Sequence, residues 1–391
     1  MNMNRMSSDV VVIGGGIVGA ACAYYCATAG LRVTVIERGT PGGGTTAACE
    51  GNILLSDKHP GPELDLALLS AGLWTDAARS LGPETLEYQA KGGVVVATTD
   101  NTAAGLRGLT VSQRGVGIDA IDISRDELIE LEPNVVPDAA GGAFYPQDSQ
   151  VQPMLATARL LQRVRELGGE VLRGTSVVEV LKSRDATVIG VRTDSPAKPI
   201  VHAAWTINAA GTWSGHIASL ANAPIPVLPR KGFVLVTEPL PRVIRHKVYT
   251  AEYVANVASS DAGLETSVVV EGTSAGTVLI GASRERVGFD RTLSLPVIRT
   301  LAAQAIEVFP FLSEVSLLRT YLGFRPYCPD HLPVIGADPR APGLIHATGH
   351  EGAGIGLATG TGSLLSQLIM GTDPSLDLTP FRPERFEDVA A

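Results

Sequence analysis

The sequence is poor in cysteine and in charged residues. The shortage of cysteine argues against metal sites that are built from pairs of cysteine ligands. Its 391 residues are 18% charged and include four cysteines, which are Cys22, Cys26, Cys49 and Cys328. Since no two of them form a C-x-x-C pair, we expect no iron–sulfur cluster, zinc or other metal bound by this chain. Cys22 and Cys26 lie four residues apart on a predicted helix, and we interpret them as small buried side chains.

An excess of basic residues is also missing. Lys and Arg number 31 against 40 Asp and Glu, a formal net charge of -9, so we expect no nucleic-acid partner. Residues 1–9 are polar and lack the basic-then-apolar order of a signal peptide, and we find no later run of about 18 apolar residues. The sequence therefore predicts a cytoplasmic protein without a transmembrane segment.

The N-terminal region has the pattern of a nucleotide-binding βαβ unit. Residues 9–13 and 31–36 are predicted buried strands, and residues 17–29 form a predicted helix between them. The turn before the helix reads G-x-G-x-x-G, and Glu37 follows the second strand. This arrangement places the pyrophosphate of a dinucleotide at the helix N-terminus and a ribose at the acid. The predicted contacts are Gly14, Gly16, Ile17, Val18, Gly19 and Glu37.

Two kinds of segment follow, and they indicate two domains. Helix and strand patterns resume at residues 154–167, 170–172, 177–181, 188–192, 203–207 and 344–347, and the glycine-rich residues 349–362 lead into a helix ending near Met370. Other strands, separated by turns, are predicted at residues 92–98, 232–237, 266–271 and 277–281. We predict an α/β fold with a discontinuous Rossmann-like domain and a second, mostly antiparallel α+β domain. The first takes residues 1–85, 150–225 and 320–391, and the second takes residues 86–149 and 226–319.

Four segments resemble motifs of the D-amino acid oxidase superfamily of amine-oxidising flavoproteins, and they occur in that family's order. They are residues 38–51 with Gly42-Gly43-Gly44-Thr45-Thr46-Ala47-Ala48, then Asn208-Ala209-Ala210-Gly211-Thr212-Trp213-Ser214, then Gly323-Phe324-Arg325-Pro326, and finally Gly349-His350-Glu351-Gly352-Ala353-Gly354-Ile355-Gly356. The resemblance implies noncovalent FAD in a glutathione-reductase-like Rossmann domain. It adds these FAD contacts: Arg38, Gly44, Thr45, Thr46, Gly51, Asn52, Val178, Ala210, Gly211, Trp213, Arg325, Gly349, His350, Glu351, Gly352, Gly354, Ile355 and Gly356.

The last segment, together with Pro329-Asp330-His331-Leu332-Pro333-Val334-Ile335-Gly336, most resembles the catalytic β subunits of opine, L-proline and hydroxyproline dehydrogenases and of hydrogen cyanide synthase. This resemblance implies oxidation of the CH–N bond of a small amino or imino acid by hydride transfer to the flavin. It also implies a heteromeric complex with α and small iron–sulfur subunits, and it admits FMN at an interface with a partner subunit.

Arg325 is the predicted substrate anchor, because a guanidinium can hold a carboxylate through two parallel hydrogen bonds. The alternative is a structural ion pair with an acid such as Asp330. Arg284 and Glu285 form a second, weaker polar pair at a strand end, for which exposure to solvent is the alternative. Tyr253 is a predicted pocket residue, as is Tyr249, although tyrosines more often serve packing.

His350 is the predicted proton acceptor, and a structural histidine is its alternative. Residues 352–362 are predicted to be a loop that opens a helix, whose N-terminal amides would stabilise negative charge on reduced flavin; a packing loop of small residues is the alternative. Cys328 stands where the family pattern leads us to expect a small hydroxyl residue. A thioether to the flavin, as in related sarcosine oxidases, is not predicted, because the surrounding motif differs.

Three other functions compete with a heteromeric dehydrogenase. They are a single-chain glycine, sarcosine or D-amino acid oxidase that uses oxygen, a flavin-binding subunit that relays electrons, and an NAD-dependent dehydrogenase. The loop at residues 42–51 argues against NAD. Arg325 in its motif favours catalysis by this chain over electron relay alone.

Overall fold

The computed structural model describes residues 8–253 and 261–389, apart from the side chains of residues 387–389. Its strands are β1 Val10–Ile13, β2 Val33–Glu37, β3 Asn52–Ile53, β4 Gly93–Ala97, β5 Ile121–Ile123, β6 Gly141–Tyr145, β7 Ser149–Gln150, β8 Glu170–Arg173, β9 Val177–Lys182, β10 Val188–Thr193, β11 Ile200–His202, β12 Trp205–Asn208, β13 Leu228–Thr237, β14 Lys247–Thr250, β15 Glu265–Gly272, β16 Val278–Arg284, β17 Leu317–Tyr327, β18 Val334–Ala337 and β19 Leu344–Thr348.

The α-helices are α1 Ile17–Thr28, α2 Pro62–Leu81, α3 Pro83–Leu86, α4 Asp100–Arg114, α5 Arg125–Leu131, α6 Pro153–Glu166, α7 Ser214–Leu220, α8 Leu295–Val308 and α9 Gly354–Met370. Short 3-10 turns lie at Thr45–Ala48, Gly211–Trp213, Pro310–Glu314, Glu351–Ala353, Thr379–Phe381 and Pro383–Val389.

A six-stranded sheet in the order β18-β19-β12-β1-β2-β8 forms the nucleotide-binding half. Its strands run parallel except for β18, which is antiparallel to β19. Both faces of β1 are covered, because Val10 and Val12 pack towards the helices whereas Val11 and Ile13 pack towards β10, β11 and α7. Burial on both faces explains the continuous apolar run of this strand. The predicted βαβ unit and α/β fold are confirmed.

A second, eight-stranded sheet has the order β17-β13-β16-β15-β14-β4-β6-β5. Its neighbouring strands are antiparallel except for β14 and β4. One face of this sheet packs on α8, with Val94, Phe233, Leu235, Val297 and Leu301 in the shared core. The predicted boundary at residue 320 falls inside β17, which pairs with β13 through residues 317–327.

The glycine-rich C-terminal stretch is helical, which corrects the prediction of a loop at residues 352–362. Helix α9 begins at Gly354 and therefore includes Gly360 and Gly362. A Cβ on Gly362 would lie 2.7 Å from the Ala21 carbonyl group of α1, and one on Gly360 would overlap the Ser70 hydroxyl of α2. These two glycines thus allow close approach between helices. This agrees with the alternative that the small residues serve packing, but they pack helix against helix and do not form a loop.

Residues 351–370 also meet the length and composition of a membrane span, contrary to the expectation that no such run exists. Of the 18-residue stretch that meets these criteria, 61% is buried inside the protein. Leu357, Ala358, Leu364 and Leu365 of this stretch are fully buried in the core with α1 and α2. Core helices pass the same test of composition, so the apolar character of α9 is explained by its packing.

Candidate active site

The glycine-rich turn after β1 holds the residues that are predicted to bind a pyrophosphate. Gly14 has a φ of 108°, which favours glycine, and a Cβ there would overlap the Ala209 carbonyl oxygen. A Cβ on Gly19 would overlap the carbonyl oxygen of Gly14. Because both positions lack a side chain, the N-terminus of α1 can lie close to the carboxyl ends of the strands. A phosphate anion binds favourably at such a helix N-terminus.

Glu37 closes β2 beside this turn. Its Oε2 accepts a hydrogen bond from Gly15 N and its Oε1 accepts one from Gly39 N, both at 2.8 Å. Each carboxylate oxygen can accept a second bond, so the ribose of a dinucleotide can still bind. The backbone N–H of Thr175 donates to the Glu37 carbonyl at 3.0 Å, which brings the start of β9, with the exposed Val178, to the same side.

Three of the four motif segments are joined by hydrogen bonds at one point. Thr46 Oγ1 accepts a bond from Ile17 N at 3.1 Å and so caps α1. Thr45 Oγ1 and Thr212 Oγ1 both donate to the Phe324 carbonyl, at 2.7 and 2.8 Å. The loop after β2, the turn after β12 and strand β17 therefore form one wall.

Aromatic stacking lines the outer part of this wall. The guanidinium carbon of Arg38 lies 3.8 Å from the centre of the Trp213 ring, a favourable cation–π arrangement. Trp213 stacks on Phe289 with ring centres 5.3 Å apart. A Cβ on Gly44 would lie 3.8 Å from the same indole. Arg38, Gly44 and Trp213, predicted from separate motifs, thus lie together.

The turn between β19 and α9 lies against Arg325. Gly349 and Glu351 have φ angles of 77° and 47°, and a Cβ on Gly352 would lie 3.8 Å from Arg325 Cδ. Trp74 Nε1 donates to the Ile355 carbonyl at 2.9 Å and holds the first turn of α9. The two C-terminal motifs are therefore adjacent, as one pocket requires.

The surroundings of His350 do not support the predicted role of proton acceptor. The side chain is 3% exposed, and its Nε2 is hydrogen-bonded to Thr361 Oγ1 of α9 at 2.9 Å. Burial lowers the pKa of His350 to about 3, so the ring is neutral near pH 7 and resists taking up a proton. The arrangement fits the alternative of a structural histidine.

Arg325, Arg284 and Tyr253, the three residues predicted to bind substrate, lie close to one another. Arg325 Nη1 donates to the Ser283 carbonyl at 2.8 Å, and burial together with the Arg284 charge lowers the pKa of Arg325. The guanidinium carbon of Arg284 lies 4.8 Å from the centre of the Tyr253 ring. Asp330, the proposed structural partner of Arg325, instead pairs with Arg385 at 2.6 Å.

Glu285 does not pair with Arg284, which corrects that expectation. Its carboxylate lies 3.6 Å from Lys231 Nζ. Arg284 is the last residue of β16, and side chains alternate between the two faces of a strand. Arg284 is buried whereas Glu285 is only partly buried, so the two residues occupy different environments.

A buried ion network that the sequence reasoning missed supports the pocket from β13. Arg230 is fully buried and binds Glu351 Oε1 at 2.6 Å and Glu265 Oε2 at 2.9 Å. Glu351 Oε2 also lies 3.4 Å from His331 Nδ1. Glu351 is thereby held by charge pairing, and its pKa is lowered although desolvation opposes this. No local motif marks Arg230, since its partners are distant in sequence.

Tyr249 belongs to a buried structural network, which corrects its prediction as a pocket residue. Its hydroxyl is hydrogen-bonded to Ser56, whose hydroxyl donates to Asp148. Burial raises the pKa of Asp148 to about 7, although Ser56 and the Leu55 amide oppose this. Tyr249 is fully buried and touches Tyr253, with ring centres 5.0 Å apart. It therefore supports the pocket from behind.

Cys328 also lies in an apolar core, which is not the environment of a reactive thiol. It is fully buried among Val227, Val334 and Phe386, and a Cβ on Gly349 would lie 3.1 Å from its sulfur. Burial raises the pKa of Cys328 to about 12. Since the thiolate is the nucleophilic form, this environment accords with the expectation of noncovalent FAD.

The residues present fit FAD. The N-terminus of α1 and Glu37, the predicted contacts of the pyrophosphate and the ribose, lie at one end, and the Thr45–Ala48 turn and the 3-10 turn before α9 lie further along. Asn52 is a predicted FAD contact, and its Oδ1 is buried without a hydrogen-bond partner among the described residues. An N–H of the flavin ring would satisfy this oxygen. Within residues 8–253 and 261–389, His, Cys, Asp and Glu form no group suited to a metal ion.

These features define a flavoprotein of the oxidoreductase class. The model of the FAD dependent oxidoreductase family matches residues 9–368, and the chain belongs to this family. FAD is its cofactor, and the resemblance to the D-amino acid oxidase superfamily is confirmed. The chain is accordingly an FAD-dependent enzyme.

Curated relatives extend over nearly the whole chain. Hydrogen cyanide synthase subunit HcnC of Pseudomonas aeruginosa is 30% identical over 425 residues, which cover 98% of this chain and 97% of the relative. Glycine oxidase of Geobacillus kaustophilus is 28% identical and covers 95% and 96%. Its crystal structure superposes with a TM-score of 0.85 at 26% identity, covering 97% and 98%.

The structure of L-proline dehydrogenase from P. horikoshii gives a TM-score of 0.88 over 98% of this chain and 99% of that one. At 24% sequence identity this likeness concerns the fold.

Proposed function

We propose that this chain oxidises the CH–N bond of a small amino or imino acid of the proline, hydroxyproline or opine type. The observation that carries the proposal is Arg325, whose hydrogen bond goes to a backbone carbonyl instead of a carboxylate. Arg325 lies beside Gly352, at the turn before α9. A guanidinium in this position can bind the carboxylate of a substrate through two hydrogen bonds.

The protein's own contribution is to position the substrate. Arg325 binds the carboxylate, Tyr253 and Arg284 close one side of the pocket, and Arg230 holds Glu351 in place. Bound FAD supplies the acceptor for the hydride that leaves the carbon. Few acid–base residues are needed, which agrees with a His350 that stays neutral. Orientation of the α-carbon is therefore the main source of rate enhancement.

We further propose that the chain is the catalytic subunit of a heteromeric, cytoplasmic dehydrogenase, with α and small iron–sulfur subunits as partners. The relative HcnC is named as a subunit, and the described part of this chain holds no metal-binding group. Electrons would then leave through a partner. FMN at a subunit interface belongs to this same proposal.

A single-chain oxidase is the second candidate, because glycine oxidases of three bacteria match 95–97% of this chain. The test is a screen of amino and imino acids that measures dye reduction and oxygen consumption, with and without candidate partner subunits. Dye reduction that needs a partner, with slow oxygen use, supports the dehydrogenase. Full turnover of the isolated chain with oxygen would overturn the heteromeric proposal.

A further inference from the structure

Glu50 is a buried carboxylate that the activity proposed so far does not use. Its side chain is 7% exposed, and its Oε1 is enclosed without a hydrogen-bond partner among the described residues. A buried carboxylate oxygen without a donor is costly, and folded proteins nearly always supply one. An acceptor left open beside a substrate pocket indicates that a ligand completes it.

Glu50 and Arg325 lie over the same short stretch of β16. A Cβ on Gly281 would overlap Glu50 Oε1, and Arg325 Nη1 donates to Ser283 O. Gly281 and Ser283 are two residues apart on β16, and Glu50 is close enough to Arg325 for their opposite charges to interact. An α-amino acid carries its nitrogen and its carboxylate on one carbon, so it can bind two opposite charges that lie close together.

We infer that Glu50 accepts a hydrogen bond from the amine nitrogen of the substrate while Arg325 holds its carboxylate. This inference rests on the proposed oxidation of amino or imino acids and deepens it, since it assigns the group that recognises the amine. A carboxylate attracts an ammonium group through its charge as well as through a hydrogen bond, whereas a hydroxyl group offers the hydrogen bond alone. Glu50 therefore makes the pocket select amino and imino acids over the corresponding 2-hydroxy acids.

Three uncharged groups and one cation face Glu50. They are Cys49, Tyr253, Tyr321 and Arg325. Burial raises the pKa of Cys49, Tyr253 and Tyr321, so these three stay neutral near pH 7. Arg325 keeps its positive charge, and its hydrogen bond goes to Ser283 O.

The test compares Glu50→Gln with wild type, each loaded with FAD. Anaerobic flavin reduction is measured with the amino or imino acid that reduces wild type fastest, and binding of its 2-hydroxy acid is measured by competition. At a pH above the acid limb of the rate profile, where the amine is neutral in both proteins, we expect the apparent second-order rate constant of reduction to fall about 10- to 100-fold, the scale for a hydrogen bond to a charged group. Affinity for the hydroxy acid should change far less.

The dependence on pH gives an independent readout. Reduction requires the neutral amine, and a nearby carboxylate stabilises its protonated form. Glu50→Gln should therefore shift the acid limb of the rate profile to lower pH by about one unit or more. Glu166→Gln removes an equal charge from a surface pair with Arg159 and Arg163, and it should leave both readouts unchanged.

Gly281→Ala is the second variant, because it keeps the charge and displaces the carboxylate. It should reproduce the loss of amine preference. If Glu50→Gln does not retain FAD, the same measurements are made with Gly281→Ala instead. If amines reduce wild type and both variants keep the amine preference and the acid limb, the role of Glu50 is wrong while the proposed function stands. If no amino or imino acid reduces wild type, the proposed function fails and the role of Glu50 with it.

Discussion

Replacing Arg325 tests how the pocket holds its substrate. Arg325→Ala removes one partner of an enclosed, charge-assisted pair, which costs about 2–5 kcal/mol, or roughly 30-fold to several thousand-fold in kcat/KM. Arg284 lies near enough to lower the pKa of Arg325 by its charge, so a second cation remains after the change. We therefore expect kcat/KM to fall on the order of 100-fold, near the lower end of this range.

Arg325→Lys refines this prediction. The lysine keeps the charge but loses the planar fork that binds a carboxylate through two hydrogen bonds. It should cost about tenfold in kcat/KM, less than alanine. Both variants should retain FAD, because the wall that joins the motif segments uses the Phe324 carbonyl and not the Arg325 side chain.

The assay compares reduction of the bound flavin by the acid substrate and by its amide, under anaerobic conditions. Wild type should strongly prefer the acid, because the amide lacks the charge that Arg325 binds. Arg325→Ala should lose most of this preference. Equal discrimination by both proteins would refute the assignment, and Arg284, next to Tyr253, would then be the residue to replace.

Three further predictions concern the cofactor and the fold. Glu37→Ala should weaken FAD binding by about 1–3 kcal/mol, measured by equilibrium release, and unchanged retention would mean that Glu37 does not bind the ribose. Gly362→Ala should lower the unfolding temperature, since its Cβ would meet α1 at 2.7 Å, at a cost of about 1–3 kcal/mol; Gly72→Ala, with open space around its Cβ, should raise it, and the reverse order would contradict the packing. His350 has its pKa lowered from 6.5 to about 3 in the fold, so its contribution to stability is full above pH 6.5 and is lost as pH falls towards 3. His350→Gln cannot titrate and should flatten the stability curve in that range, whereas an unchanged acid sensitivity would show that the histidine does not control it.

The sequence was sufficient for the parts of the fold and site that depend on local pattern. The βαβ unit follows from two apolar runs and a glycine motif within 29 residues of chain, from Asp9 to Glu37. Arg325 and Arg284 stand next to recognisable turns and strand ends, and the structure brings them together. The pairing of β17 with β13 could not be derived in this way, because the two strands are distant in sequence.

Other features depend on contacts that no local pattern reveals. A run rich in glycine predicts a loop, but Gly360 and Gly362 lie within α9, where α2 and α1 leave no room for a side chain. Glu50 follows a 3-10 turn, where the sequence alone suggests an exposed acid. In the fold its side chain is buried against Gly281, which lies on a strand far along the chain. Arg230 likewise gains its role from Glu265 and Glu351.

The most direct test of the proposed oxidation is anaerobic mixing of the FAD-loaded chain with a panel of amino and imino acids and with the 2-hydroxy acids of the same carbon skeletons. The account predicts that the visible flavin absorption is bleached by at least one amino or imino acid, and far more slowly by its hydroxy counterpart. Bleaching by hydroxy acids alone would contradict the account. So would a protein that binds FAD but is reduced by no amine.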